Sequence, residues 1–203
     1  MKHNVFTGAL ILLFLSTFNG IAQTELTQKE REKAITYLEK TKSDLHSAVN
    51  GLTEAQLNFK ATPESWSAAQ CVEHIAKTEN ALFGIVDMAL QSEPDPSLRN
   101  EVKMADDEVI NLITDRSSKA QAREDLQPKN EFGSVEASLK AFDESRASNI
   151  EFVKTTKEDL RNRYFDFPFG KFDIYQVVLF LSGHTERHTK QIAEIKENSD
   201  FPQ

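Results

Sequence analysis

The chain has a single cysteine, Cys71, which excludes a disulfide bond within the chain. Glycine and proline are also scarce, with seven and six among 203 residues. Disordered chains and turn-rich all-β folds use these two residues more heavily, so both classes are disfavoured. The length suits one domain of ordinary size and is too short for two.

Dense clusters of lysine and arginine are absent as well. Charged residues make up 28% of the chain, are interleaved in sign, and leave a formal net charge of −8. Nucleic-acid binding depends on clustered basic side chains that meet the phosphates. We therefore expect no nucleic-acid partner, and we interpret the interleaved charges as solvated helix faces.

The N-terminus holds the one long uncharged, mostly apolar stretch. It covers residues 5–18, after a short basic start, and is followed by small residues that end at Ala22. This pattern is typical of a secretory signal peptide, so residues 1–22 are predicted to be removed and residues 23–203 to form the domain. We therefore expect an exported protein, periplasmic or secreted. A permanent membrane anchor is the alternative, because the uncharged run is nearly long enough to span a bilayer.

Four long amphipathic helices are predicted from capping residues and from apolar residues spaced three or four apart. The first covers residues 27–50, and the second begins at Ser67 and ends at Glu93. The third begins after Ser134 and ends near Lys157, and the fourth covers residues 173–198. No convincing sheet accompanies them. The predicted fold is therefore all-α, with a four-helix bundle as the simplest arrangement and other all-α packings as the alternative.

Two connections between the helices have a distinct composition. Residues 98–129 are polar apart from a modest apolar cluster at 109–113, which predicts an excursion that contains a minor helix. Residues 164–172 alternate aromatic and polar side chains. That alternation predicts a loop or short hairpin that lays aromatic rings over the core.

The fourth helix carries two histidines one turn apart. His184 and His188 lie in the middle of a seam that also contains Leu181 and Ile195. Buried imidazoles need partners, and histidines four residues apart can direct their nitrogens at one cation. His74, on the apolar side of the second helix, is the candidate third ligand. Three neutral imidazoles suit Zn²⁺, Ni²⁺, Fe²⁺ or Cu²⁺ and leave a coordination position open.

A structural role for these histidines is the alternative. Buried histidines are more often hydrogen-bonded core residues than ligands, and a pair spaced by four arises by chance. In that case, replacing each with Gln or Asn costs about 1–2 kcal/mol of stability and leaves the metal content unchanged. His46 has no matched partner and is assigned to the surface or rim, whereas Cys71 is assigned a buried apolar role.

The candidate ligands lie in two segments with further shared features. In residues 64–75, a Trp66-Ser pair precedes His74-Ile, and in residues 184–192 the two histidines precede Gln-Ile. These segments resemble the second-helix start and the fourth-helix signature of the DinB superfamily, the DinB/YfiT-like metalloenzymes. The resemblance covers about residues 27–198, and the two motifs together are more specific than either alone.

The resemblance implies an up-down-down-up bundle in which His74, His184 and His188 hold a divalent metal (Zn, Ni or Fe) near one end. Relatives include thiol-dependent S-transferases and metal-dependent hydrolases, so we expect an exported enzyme of one of these types with a small-molecule substrate. Low-molecular-weight thiols are mainly cytoplasmic, which weakens the transferase alternative. A non-catalytic, stress-associated module that binds metal or a small ligand remains open. Members often pair, so a homodimer is a further expectation.

Three more side chains are candidates for the pocket. Trp66 could form one of its walls, and Glu73 and Glu186 could carry protons or hold the ligands in place, a role that Glu79 could also fill. The alternatives are a packing role for Trp66 and solvent-facing positions for all three glutamates. The sequence identifies no catalytic residue.

Overall fold

The computed structural model of the chain describes residues 25–118 and 121–203. The predicted signal peptide lies outside these residues. The helices are α1 (Gln28–Val49), α2 (Glu54–Asn58), α3 (Ala68–Ala89), α4 (Asp106–Thr114), α5 (Val135–Thr155) and α6 (Ile174–Lys196), with 3₁₀ turns at Pro96–Glu101 and Glu124–Leu126. A hairpin is formed by β1 (Tyr164–Phe167) and β2 (Gly170–Asp173). None of the helices among the described residues has the length and hydropathy that crossing a membrane requires.

The four long helices begin at the predicted capping residues. The side chains of Thr27, Ser67 and Asp173 each accept the backbone N–H three residues later, and each takes part in a capping box. Ser134 accepts the corresponding N–H at the start of α5. These contacts satisfy N–H groups that the first turn of a helix leaves free. The predicted helix starts are therefore confirmed.

Contacts between the long helices define an up-down-down-up bundle. The hydroxyl of Tyr175 donates to the carbonyl of Glu30 at 2.9 Å, so α1 and α6 begin at the same end. Arg31, in the first turn of α1, donates to the carbonyl of Thr156 just after α5. The caps of α3 and α5 line one cavity at the opposite end. The predicted fold class and topology are confirmed.

The polar excursion contains the expected minor helix. It is α4, which packs along α6 where Gly183 allows close approach, since a Cβ there would lie 2.4 Å from Ile113 Cγ2. The guanidinium of Arg161 joins this excursion to two other elements by pairing with Glu30 and Asp106 at 2.7 Å and with Asp173 at 2.9 Å.

The aromatic segment forms an antiparallel hairpin, as predicted. Phe165 lies opposite Phe172, and Phe167 lies opposite Gly170. Phe172 is fully buried, whereas Phe169 at the turn is half-exposed. The hairpin therefore lays aromatic rings over the end of the bundle where α6 begins.

An ion pair at the centre of the bundle contacts all four long helices. Arg146 and Glu79 side chains are 0% and 1% exposed, with Nε to Oε1 at 2.6 Å and Nη2 to Oε2 at 2.8 Å. The remaining guanidinium donors reach the carbonyl of Leu38 and the hydroxyls of Thr41 and Thr185, each at 2.8 Å. The solvent-facing assignment of Glu79 is wrong, because its carboxylate is needed to neutralise a buried arginine.

Candidate metal centre

Three histidines from two helices meet near the end of the bundle where α3 begins. His74 lies in the second turn of α3, and His184 and His188 lie one turn apart on α6. One ring nitrogen from each lies within 4.8 Å of the others. His74 and His188 are buried and His184 is partly buried. The fold therefore brings together all three predicted ligands.

Each imidazole uses its Nδ1 atom for a hydrogen bond to the protein. The Nδ1 of His74 lies 2.8 Å from the carbonyl of Leu126, and that of His188 lies 2.9 Å from Gln191 Oε1. The Nδ1 of His184 lies 3.2 Å from Thr78 Oγ1, whose own proton points to the carbonyl of residue 74. Because these oxygens accept, the tautomer we assign places the proton on Nδ1. Every Nε2 then keeps a lone pair for a metal.

The arrangement of the Nε2 atoms tests whether a cation fits. Those of His74 and His184 lie 3.3 Å apart. With both Nδ1 atoms protonated, two lone pairs face each other across this distance without a proton between them. A shared cation removes that conflict, and neutral imidazoles are ligands for Zn²⁺, Ni²⁺ and Fe²⁺. The residues present therefore fit a divalent metal.

The surroundings keep the three rings neutral. Burial lowers the pKa of His188 to about 3, with a smaller contribution from the neighbouring His74. Burial, together with the two nearby imidazoles, holds the pKa of His184 well below its usual value of 6.5. Burial also lowers the pKa of His74, although its bond to Leu126 acts in the opposite direction. Neutral imidazole is the form that coordinates metal.

Residues 37–192 match the family model described as the DinB superfamily. The chain belongs to the DinB superfamily. The resemblance predicted from the two histidine segments is thereby confirmed.

This DinB-superfamily chain is similar to two further proteins, one by sequence and one by structure. It is 25% identical over 150 residues to YuaE, an uncharacterized protein of Bacillus subtilis strain 168, and the match covers 73% of this chain and 88% of YuaE. The structure of YfiT from Bacillus subtilis superposes with a TM-score of 0.53 at 17% identity, covering 84% of this chain and 88% of YfiT. YfiT is described as a probable metal-dependent hydrolase with an unusual four-helix bundle topology. The likeness to YfiT confirms the shared fold.

In this DinB-superfamily site, Trp66 lies against two of the imidazoles. Its ring centroid is 4.8 Å from that of His74 and 5.9 Å from that of His188, with the latter pair stacked at 29°. Trp66 is half-buried and immediately precedes the N-cap of α3. The indole thus covers one side of the histidine cluster.

The two candidate glutamates lie apart from the cluster. Glu73 is 6% exposed, so its solvent-facing assignment is wrong, and its carboxylate accepts three backbone N–H groups from residues 129–131. It also lines a cavity of about 870 Å³ at the starts of α3 and α5. The carboxylate of Glu186 accepts from the hydroxyl of Tyr37 and pairs with Lys190, both at 2.7 Å. Neither is among the described groups that could share a cation with the histidines.

Sequence reasoning included Gln191 in the fourth-helix motif but did not assign the contacts that hold the imidazoles. Gln191 had a detectable signal, because it follows the ring it contacts, His188, by one helical turn. Thr78 lies one turn after His74 but contacts the ring of His184 on the facing helix, so its partner was not visible in the sequence. Arg116 contacts Gln191 in turn, since it donates to Gln191 at 3.4 Å and pairs with Glu194 at 2.6 Å.

The remaining described histidine, His46, lies outside the cluster. It pairs with Asp143 at 2.8 Å, in agreement with its predicted position at the surface or rim.

Proposed function

We propose that this chain is an exported metal-dependent enzyme, of hydrolase type in preference to S-transferase, that acts on a small molecule. A divalent cation, Zn²⁺, Ni²⁺ or Fe²⁺, is held by Nε2 of His74, His184 and His188. The observation that carries the proposal is that all three Nδ1 atoms bond to the protein while one nitrogen per ring lies within 4.8 Å of the others.

Three protein ligands favour reactivity, because a closed structural site would use four. A bound divalent cation supplies Lewis acidity, which activates water or a thiol for nucleophilic attack. The description of YfiT as a probable metal-dependent hydrolase supports the hydrolase type for this chain. The predicted export favours it too, since low-molecular-weight thiols are mainly cytoplasmic. Trp66 covers one side of the cluster. The carboxylates of Glu73 and Glu186 are engaged in other contacts, so the proton carrier is unassigned.

The test is turnover that depends on the metal. The chain from Gln23, purified without a histidine tag, is loaded separately with Zn²⁺, Ni²⁺ or Fe²⁺ and assayed on chromogenic esters, amides and phosphoesters, and for thiol transfer. We expect hydrolysis that a chelator abolishes and that added metal restores. Metal-loaded protein that turns over none of these substrates would contradict the enzyme proposal.

One observation favours a second function, a binding module without turnover. Among the described residues, the group that could share a cation contains three histidines and no carboxylate. A general base within hydrogen-bonding reach of the substrate is a common requirement of hydrolases. A metal-loaded but inactive protein in the assay above would therefore favour the module.

Export has its own test at the N-terminus. We expect protein produced in a Gram-negative host from a gene that encodes residues 1–203 to be found in the periplasm or the medium and to begin at Gln23, as the signal-peptide pattern predicts. Mass spectrometry of the intact chain measures this directly. A membrane fraction that holds the chain with residues 1–22 still attached would support the anchor alternative.

A further inference from the structure

A segment that precedes α5 lies against the metal-ligand face of α3. We call residues 121–131 the strap; it contains the 3₁₀ turn at Glu124–Leu126. Three side chains within five residues of α3 contact it, namely Glu73, His74 and Lys77. One of these is a candidate metal ligand and the other two are not, so the strap joins the metal centre to residues outside it.

Glu73 fixes the far end of the strap. Its Oε1 accepts the N–H groups of Lys129 at 3.1 Å and Glu131 at 2.8 Å, and its Oε2 accepts that of Asn130 at 2.9 Å. Asn130 has a positive φ of 62°, which lets successive N–H groups turn toward one anion. Both carboxylate oxygens of this buried residue are therefore used to hold the strap.

Lys77 supports the same end of the strap. Its ammonium donates to the carbonyl of Gln127 at 3.0 Å and to Glu131 Oε1 at 2.5 Å, and its side chain is only 8% exposed. The carbonyl of Leu126, the residue before Gln127, accepts from Nδ1 of His74 at 2.8 Å. The contacts from Glu73 and Lys77 thus fix the chain on the C-terminal side of the carbonyl that orients His74.

We propose that Glu73 is a positioning residue of the metal centre, which holds the strap so that the carbonyl of Leu126 orients His74. The inference rests on the proposed metal binding. An imidazole that coordinates a cation through Nε2 donates more strongly from Nδ1, so metal binding strengthens the bond to the strap. By linkage, a docked strap strengthens metal binding to the same extent.

This role differs from that of a proton carrier in what it predicts. A proton carrier removed from the site slows turnover and leaves metal affinity unchanged. A positioning residue removed from the strap lowers metal affinity, because His74 loses its fixed orientation. Metal affinity is therefore the readout that separates the two roles, and it requires no substrate.

The decisive variant is Glu73→Gln, which keeps the shape of the side chain and turns an amide donor toward one of the strap N–H groups. We expect its Kd for Zn²⁺, measured by competition with a chromophoric chelator, to rise about tenfold. Hydrogen exchange at residues 126–131 should become faster, and Zn²⁺ should slow that exchange in the parent. Glu136→Gln is the matched control, because Glu136 lines the same cavity without a hydrogen bond to the strap in the structure.

The outcomes separate the proposals. A parent that binds none of Zn²⁺, Ni²⁺ and Fe²⁺ overturns the proposed function and this inference with it, and a parent that binds only Ni²⁺ or Fe²⁺ is compared with the variant by its Kd for that metal. A parent that binds Zn²⁺, with a Glu73→Gln variant of equal Kd and faster exchange at the strap, overturns this inference alone. If Glu73→Gln fails to fold, Lys77→Met tests the same end of the strap. The Kd of Lys77→Met for Zn²⁺ should also rise, and an unchanged Kd overturns the inference.

Discussion

Replacing Arg146 with methionine is expected to lower the free energy of unfolding by about 3–5 kcal/mol, because it leaves a buried carboxylate without its partner. Glu79 would retain the amide of Asn149, which donates to it at 2.8 Å, but would lose the two guanidinium bonds at 2.6 and 2.8 Å. The hydroxyls of Thr41 and Thr185 would lose a donor in the same step. Urea unfolding followed by circular dichroism measures the change.

A double variant separates the destabilisation caused by an unpaired buried charge from that caused by altered packing. Glu79→Gln combined with Arg146→Met removes both charges and keeps an acceptor for Asn149, so it should be more stable than Arg146→Met alone. Lys40→Met is the surface comparison, since the side chain of Lys40 is 60% exposed in its pair with Asp44 and the change should stay within about 0.5 kcal/mol. A cost for Arg146→Met as small as that for Lys40→Met would contradict the central role of the ion pair.

Local patterns explain why the helices and the histidine cluster could be predicted. Capping boxes act within four residues, so Thr27, Ser67 and Asp173 mark helix starts without any knowledge of the fold. The spacing of His184 and His188 is likewise a property of one helix. The third candidate ligand, His74, is predictable from its apolar helix face together with the family resemblance.

The supporting contacts could not be predicted in the same way. The bond from His74 to Leu126 joins positions 52 residues apart, and its acceptor is a backbone carbonyl, which every residue possesses. Glu79 and Arg146 are 67 residues apart. Arg146 follows Phe142 by four residues on the buried face of α5, so a charge in an apolar seam was a visible signal, but its partner was not.

Replacing His184 or His188 with alanine is expected to remove the bound metal. Each variant keeps two of three imidazoles, and the loss of a ligand should exceed the roughly 100-fold loss in affinity that outer partners can cause. Zinc at about 100 times its Kd would stabilise the parent by about 2.7 kcal/mol, and the variants should lack this increment. Metal content by mass spectrometry and Tm with and without Zn²⁺ measure both effects.

His46→Ala is the matched control, because it makes the same substitution at a histidine that pairs with Asp143 outside the cluster. It should bind Zn²⁺ as the parent does. Helical circular dichroism must persist in all variants, since a collapsed bundle loses metal for another reason. If His184→Ala and His188→Ala are folded and less stable than the parent, while the parent itself takes up no metal, the three rings act as core residues. In that case the facing Nε2 atoms of His74 and His184 must share a proton, and the metal proposal fails.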